Sequence, residues 1–228
     1  MTAGIRVRTI ILGSLATAMV LSLAYSTSIQ YGHADVPVAS TAAGIQPLVA
    51  GDQAPYFTVE TVDNRPFYFD PRKLARPVVL ISFRGGWCPF CNMHLSELRQ
   101  VLPEIDAMGI DVLFLSGDRP ELLYSSLNRE TQEHIDGLGY TVLSDANAQA
   151  AVALGIAFKA SGETIQRRLD KGQDIERSSM QRHGVLPVPA VFAVSRTGEI
   201  TFAYANADYK VRLPNDELLN AAAALVVQ

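Results

Sequence analysis

The chain has two cysteines, and both lie in the stretch Phe83-Arg84-Gly85-Gly86-Trp87-Cys88-Pro89-Phe90-Cys91. An apolar run, Val78 to Phe83, leads into the pair, and a helical pattern opens near Pro89. Strand, glycine turn, CxxC and helix together make a reactive thiol, because helix N-terminal N–H groups and the macrodipole favour a thiolate. The spacing sets Cys91 about one turn below Cys88, close enough for a disulfide. Pro89 suits a first helical turn, where its missing N–H costs nothing. Gly85 and Gly86 allow a tight turn before the helix. A structural zinc site needs four ligands, and no second cysteine pair exists. Haem attachment needs histidine after the second cysteine, and Asn92 stands there. The expectation is redox chemistry at Cys88 and Cys91, with no metal and no cofactor.

At 228 residues the chain has room for one ordinary domain and an appendage. A hydrophobic content of 48% describes a chain with a real core, and the net charge of -4 gives no basic footprint for nucleic acid. Arg6 and Arg8 precede an apolar stretch over residues 10–24, the pattern of an export signal. Ser22-Leu23-Ala24 and Gly32-His33-Ala34 offer small residues at positions a signal peptidase reads. Residues 1–34 are therefore expected to be a signal peptide or, left uncleaved, a membrane tether through residues 9–25. The run is short for a span, which takes about 20 apolar residues. The expected location is exported, periplasmic or otherwise extracytoplasmic. There a CxxC pair rests oxidised unless a thiol electron donor reduces it.

Residues 35–50 have no sustained period and read as a linker; the domain is expected over 51–228. Residues 56–60 and 67–69 read as an N-terminal hairpin around the turn signal Asp63-Asn64-Arg65-Pro66. Residues 78–83 read as a central strand buried on both faces. The next helix aligns Cys91, Leu95, Leu98, Leu102 and Ile105, which turns Cys91 inward and leaves Cys88 at an exposed tip. Pro103 should kink or end that helix, with Gly109 at its exit. Strands at 111–115 and 140–143 alternate with helices at 120–134 and 146–153, a rhythm of α/β type. Residues 160–184 are polar, carry both charge signs and read as a surface insertion, with a lid over the site as the alternative. Strands at 188–194 and 199–204 and a helix at 215–226 complete the chain.

Trp87-Cys88-Pro89-Phe90-Cys91 resembles the active site of the thioredoxin superfamily, and Val188-Pro189 resembles its cis-proline loop. Gly51-Asp52-Gln53-Ala54-Pro55-Tyr56-Phe57, Leu115-Ser116-Gly117-Asp118-Arg119-Pro120-Glu121 and Leu143-Ser144-Asp145 are similar to peroxiredoxin elements. With Phe83-Arg84-Gly85-Gly86-Trp87-Cys88 and Leu186-Pro187-Val188-Pro189-Ala190, the resemblance narrows to peroxiredoxin-like proteins of the alkyl hydroperoxide reductase C/thiol-specific antioxidant family. It implies a thioredoxin-like α/β fold: a central mixed sheet flanked by helices, with an N-terminal hairpin and a surface insertion before the cis-proline strand. It also implies a thiol-dependent antioxidant enzyme that reduces peroxides. A thiol–disulfide oxidoreductase acting on protein disulfides is the alternative, and a binding or metal-delivery module the third reading. The implied partner is a thiol electron donor, a thioredoxin-like protein or a membrane thiol reductase.

The departures from the family pattern are specific. Laid on the peroxiredoxin PxxxTxxC pattern, the peroxidatic position falls on Cys91, the threonine on Cys88 and the proline on Arg84. The family's arginine falls at or beside Pro189, and the buried aspartate of thioredoxins is replaced by Ser82. Cys88 and Cys91 are the expected catalytic residues, and Arg84, Trp87, Pro89, Val188 and Pro189 the residues that shape the site. Arg84 is the nearby cation that can stabilise a thiolate. His94, three residues after Cys91, raises a metal reading that the CxxC spacing disfavours. His134 and His183 read as solvated, and Asp145 as a helix cap.

Overall fold

The computed structural model describes residues 38–127, 129, 131–132, 138–172 and 184–227. The expected signal or tether, residues 1–34, lies outside them, as do His134 and His183. Among the described residues no helix is long and apolar enough to cross a membrane.

Strands β1 (Phe57–Glu60) and β2 (Pro66–Phe69) form the expected N-terminal hairpin, with Phe57 and Phe69 paired in register and their rings stacked at 4.6 Å. Strand β3 (Val78–Phe83) is buried at every position. It pairs in parallel with β4 (Asp111–Ser116) and antiparallel with β8 (Ala190–Val194). With β5 (Thr141–Ser144) and β9 (Ile200–Ala205) the sheet runs β2-β1-β5-β4-β3-β8-β9. This is the expected α/β architecture with a central mixed sheet.

Because side chains alternate along a strand, β3 sends Val78 and Leu80 into one apolar cluster and Val79, Ile81 and Phe83 into the other. The second cluster is roofed by α1 (Pro89–Leu98), α2 (Leu102–Ala107) and the C-terminal α5 (Asn215–Val226). Cys91, Leu95 and Leu98 form the inward face of α1. Leu98, Leu102 and Ile105 are fully buried. On the other face lies the short α3 (Gln149–Ala153), entered through Ala148 at φ 56°.

Several expectations are corrected. The long helix after the motif is two helices, and Pro103 sits in the first turn of the second, where a proline is tolerated. The helix expected over 120–134 does not begin at Pro120: Pro120–Leu122 is a single 3-10 turn followed by further turns, and the described residues 129, 131 and 132 are helical. Residues 38–50 are not a free linker. Ala39 exchanges backbone hydrogen bonds with Ala157 and Lys159, and the N–H groups of Gln46 and Leu48 donate to Gly155 and Leu154. Ala42, Ile45 and Leu48 pack on the core, which offsets the ordering entropy of the segment. A separate two-stranded ribbon, β6 (Ala157–Lys159) with β7 (Val185–Pro187), was not visible in the pattern. It brackets the polar insertion, which the Ala160 N–H closes onto the Gly184 carbonyl. Within the insertion α4 (Gly162–Leu169) is capped by Ser161, whose Oγ accepts from the Thr164 N–H, and it buries no residue. Residues 173–183 lie outside the described part.

Val188-Pro189 links β7 to β8, and the bond between them is trans, since no peptide bond among the described residues is cis. The expected cis-proline loop is corrected accordingly. The Val188 N–H donates to Ile156 and the Pro189 carbonyl accepts from Asn206, which holds an extended crossing.

Candidate active site

The redox motif is fixed by the end of β3 and the start of α1. Gly85, at φ 138°, takes a backbone conformation that side chains rarely adopt. The next amide, Gly86 N–H, donates to Asp118 Oδ2 at 2.7 Å, and Ser126 Oγ donates to the same oxygen at 2.6 Å. Asp118 is fully buried at the end of β4, so a carboxylate from a neighbouring strand ties down the turn. Asn92 on α1 closes it from the other side, its Nδ2 donating to the Gly86 carbonyl at 2.6 Å and the Cys88 carbonyl at 3.2 Å. A methyl group on Gly86 would lie 2.3 Å from the Ser126 carbonyl carbon. Gly86→Ala is therefore expected to cost about 2 kcal/mol or more through overpacking against backbone, read as a lower denaturation midpoint at unchanged m-value.

Cys88 is the N-cap of α1 and Pro89 its first residue. The Cys88 carbonyl accepts the N–H groups of Cys91 and Asn92 at 3.0 and 3.1 Å. Both cysteines are free thiols and both are buried. The expected exposed tip at Cys88 is corrected, because Trp87 and Phe90 pack against the same apolar cluster as Cys88.

The two sulfurs are not equivalent. Cys88 is lowered to about 6, first by the hydrogen bond from the Cys91 thiol; the Cys91 N–H and the charges of Arg84 and Arg212 add to this against the cost of burial. Burial pushes the Cys91 thiol well above its usual range, and its donation to Cys88 raises it further. At neutral pH the site holds a thiolate at Cys88 and a thiol at Cys91.

Arg84 joins the site as expected. Its guanidinium lies 4.6 Å from the Tyr209 ring centre and 5.3 Å from that of Phe158. Tyr209 also meets Phe90 edge to face at 5.5 Å. Burial draws the Arg84 pKa down, and the charges of the two cysteines act against that shift. Trp87 lies under Arg168 of α4, with the guanidinium 4.9 Å from the ring, so the polar insertion touches the redox motif. Val188, expected to shape the site, belongs to the apolar cluster on the opposite face from the cysteines.

Arg212 is the functional residue that the sequence reading missed. It lies in the loop between β9 and α5, and its Nη2 is 3.5 Å from Cys91 Sγ. Its Nη1 donates to the carbonyls of Tyr209 and Val211. The two partners are 121 residues apart, and no local pattern marks an arginine in a polar loop as a site residue. Asp118 and Tyr209, distant from the motif in sequence, went unread in the same way, whereas Asn92 directly follows the motif and was read only as the residue that excludes haem attachment.

His94 is buried and its Nε2 has no hydrogen-bond partner. Burial, and then the charge of Arg212, lower its pKa to about 3, so it is neutral at neutral pH. Among the described residues no three His, Cys, Asp or Glu side chains are placed to hold a metal ion. Unfolding releases His94 to its ordinary range, so below about pH 6.5 the unfolded state binds a proton that the native state refuses. Stability from this group is whole above that pH and falls by up to about 1.4 kcal/mol per pH unit towards pH 3. His94→Leu is expected to flatten the acid limb of a stability–pH curve. Asp145 behaves as the cap it was read to be, accepting the Ala150 and Ala151 N–H groups at 2.9 and 2.8 Å.

Comparison with known proteins gives a consistent family. The model of the AhpC/TSA family matches residues 50–203. Peroxiredoxin Bcp of Escherichia coli strain K12 is 30% identical over 112 residues, 49% of this chain and 67% of that protein. The thiol-disulfide oxidoreductase ResA of Halalkalibacterium halodurans is 25% identical over 109 residues, 47% of this chain and 57% of that protein. Among solved structures, a peroxiredoxin-like protein from Aquifex aeolicus superposes with a TM-score of 0.53 at 18% identity, covering 83% of this chain and 98% of its own. That likeness speaks to the fold.

Proposed function

The chain belongs to the AhpC/TSA family, and from that footing we propose that it reduces peroxides by cycling Cys88 and Cys91 between dithiol and disulfide. Its relatives make it a peroxiredoxin-like thiol oxidoreductase. The observation that carries the finer reading is the asymmetry of the two sulfurs, a stabilised thiolate at Cys88 beside a protonated thiol at Cys91.

Cys88 Sγ attacks the terminal peroxide oxygen, the O–O bond breaks, and the leaving alkoxide or hydroxide takes up a proton. The product is a sulfenic acid at Cys88. Arg84 and Arg212 stabilise the thiolate before attack and the negative charge that develops on the leaving oxygen. Cys91 then attacks the Cys88 sulfur and water leaves as the disulfide closes. Arg212, in contact with Cys91 Sγ, favours the thiolate that this step requires. The attacking residue is thus Cys88, although family alignment puts the peroxidatic position on Cys91.

A second reading has a specific support. The CxxC pair and the ResA relative also suit thiol–disulfide exchange, in which a disulfide replaces the peroxide as first electrophile. Two assays on the reduced chain separate them: peroxide consumption sustained by dithiothreitol, and exchange with insulin disulfides. Peroxide turnover well above that of free thiol with slow insulin exchange supports the peroxidase; the opposite ranking moves the assignment to disulfide reductase.

The proposed electron donor is a thioredoxin-like protein or membrane thiol reductase that reopens the disulfide. Residues 1–34 are proposed as an export signal or tether, placing the enzyme in the periplasm or another extracytoplasmic space. The mass of the N-terminal peptide from fractionated cells tests this: a cytoplasmic chain beginning at Met1 contradicts it.

A further inference from the structure

The reduced site sets two guanidinium groups against one thiolate. Arg84 is 6% exposed, and its Nε is buried without a hydrogen-bond partner. Arg212 Nε is buried and unpartnered in the same way. Among the described residues neither arginine has a carboxylate within ion-pair distance. Their neighbours are the faces of Tyr209 and Phe158, two backbone carbonyls and Cys91 Sγ, and both cysteines act on Arg84 by charge. His94, the nearby titratable group on α1, is neutral. The Cys88 thiolate is therefore the one negative charge set against both cations among the described groups.

Oxidation removes that charge. For a peroxide ROOH, the Cys88 thiolate, the Cys91 thiol, ROOH and one proton become the disulfide, ROH and water. Two electrons pass from the sulfurs to the broken O–O bond, and the thiolate's charge is gone. A buried cation, Arg84, and a half-buried one, Arg212, are then left without a counter-charge, which a site of low dielectric tolerates poorly. Closing the disulfide also draws Cys88 Sγ to about 2.05 Å from Cys91 Sγ, away from the place it held as a thiolate.

We propose that Arg84 and Arg212 form a redox-linked anion site, in which the disulfide form takes up one small monovalent anion of halide or carboxylate size in place of the lost thiolate. The ion reaches it beside Tyr209 and Arg212, which are only partly buried. A single charge suffices because oxidation removes a single charge, and the aromatic walls favour a small ion. The inference rests on the Cys88–Cys91 cycle proposed above. An anion that binds the disulfide form and not the dithiol form must pull the equilibrium towards disulfide.

The test is the dithiol–disulfide equilibrium of the full-length chain in dithiothreitol redox buffers, with chloride varied and gluconate holding the ionic strength, then repeated with formate. For a dissociation constant of about 10 mM, raising chloride from about 1 to about 100 mM shifts the equilibrium about tenfold towards disulfide, or about 30 mV. Arg212→Met and Arg84→Met should each abolish the dependence of that equilibrium on chloride and formate. An equilibrium indifferent to both anions in the wild-type chain overturns the site and leaves the redox cycle standing, as does an equal response in both variants. Failure to form any Cys88–Cys91 disulfide overturns the site together with the cycle it rests on.

Discussion

Cys88→Ser abolishes oxidation of the reduced protein by peroxide, with a loss of roughly 10^4-fold or more, because a serine hydroxyl without a general base is a poor nucleophile near neutral pH. Cys91→Ser behaves differently. It keeps a fast first oxidation, since Arg84, Arg212 and the helix N-terminus still act on Cys88, but it stops at the sulfenic acid and loses sustained turnover. Part of the rate falls even there, because the Cys91 thiol is the largest single stabiliser of the Cys88 thiolate. Mass spectrometry after a pulse of peroxide checks the contrast. A dimedone adduct on Cys88 in the Cys91→Ser protein is expected. An adduct on Cys91 in the Cys88→Ser protein, formed at wild-type rate, would reverse the two roles.

The second large effect concerns charge. Arg84→Met and Arg212→Met each raise the Cys88 pKa by about one unit, the low end of what an opposite charge at close range produces, and the double variant raises it further. The sign follows from the charges: removing a cation disfavours the thiolate, so the midpoint of reactivity moves from about 6 towards the ordinary cysteine range near 8.5. Absorbance of the thiolate near 240 nm, or the pH dependence of alkylation, reads the shift directly. Unchanged midpoints in both single variants would show that the arginines are spectators. Ionic strength is expected to matter little, because Arg84 is buried and Arg212 half-buried, where screening is weak.

Much of the scaffold was legible because its causes are local. The run Val78 to Phe83 has no polar interruption, and the structure buries it on both faces as the central strand. The hairpin around Asn64 and the C-terminal helix follow from turn chemistry and helical spacing in the same way. The cysteine pair was legible too, down to Pro89 at the helix start. What failed to show depends on tertiary packing. β6 is three residues long and has no readable period. Cys88 is closed over by aromatic side chains that spacing alone would leave outside, and residues 38–50 look like linker composition until their backbone is seen paired to the loop before β6 and to β6 itself. The two cations of the site illustrate both cases. Arg84 adjoins the motif in sequence and could be named, whereas Arg212 comes from 121 residues beyond Cys91.

The most direct measurement is rapid mixing of the fully reduced full-length chain with hydrogen peroxide, followed through the fluorescence of Trp87 across the pH range. Second-order oxidation far faster than that of free cysteine, rising to a plateau with a midpoint at about pH 6, is the expected result. Oxidation no faster than a free thiol, with a midpoint in the ordinary cysteine range near 8.5, would contradict the assignment of Cys88 as a peroxide-reducing thiolate.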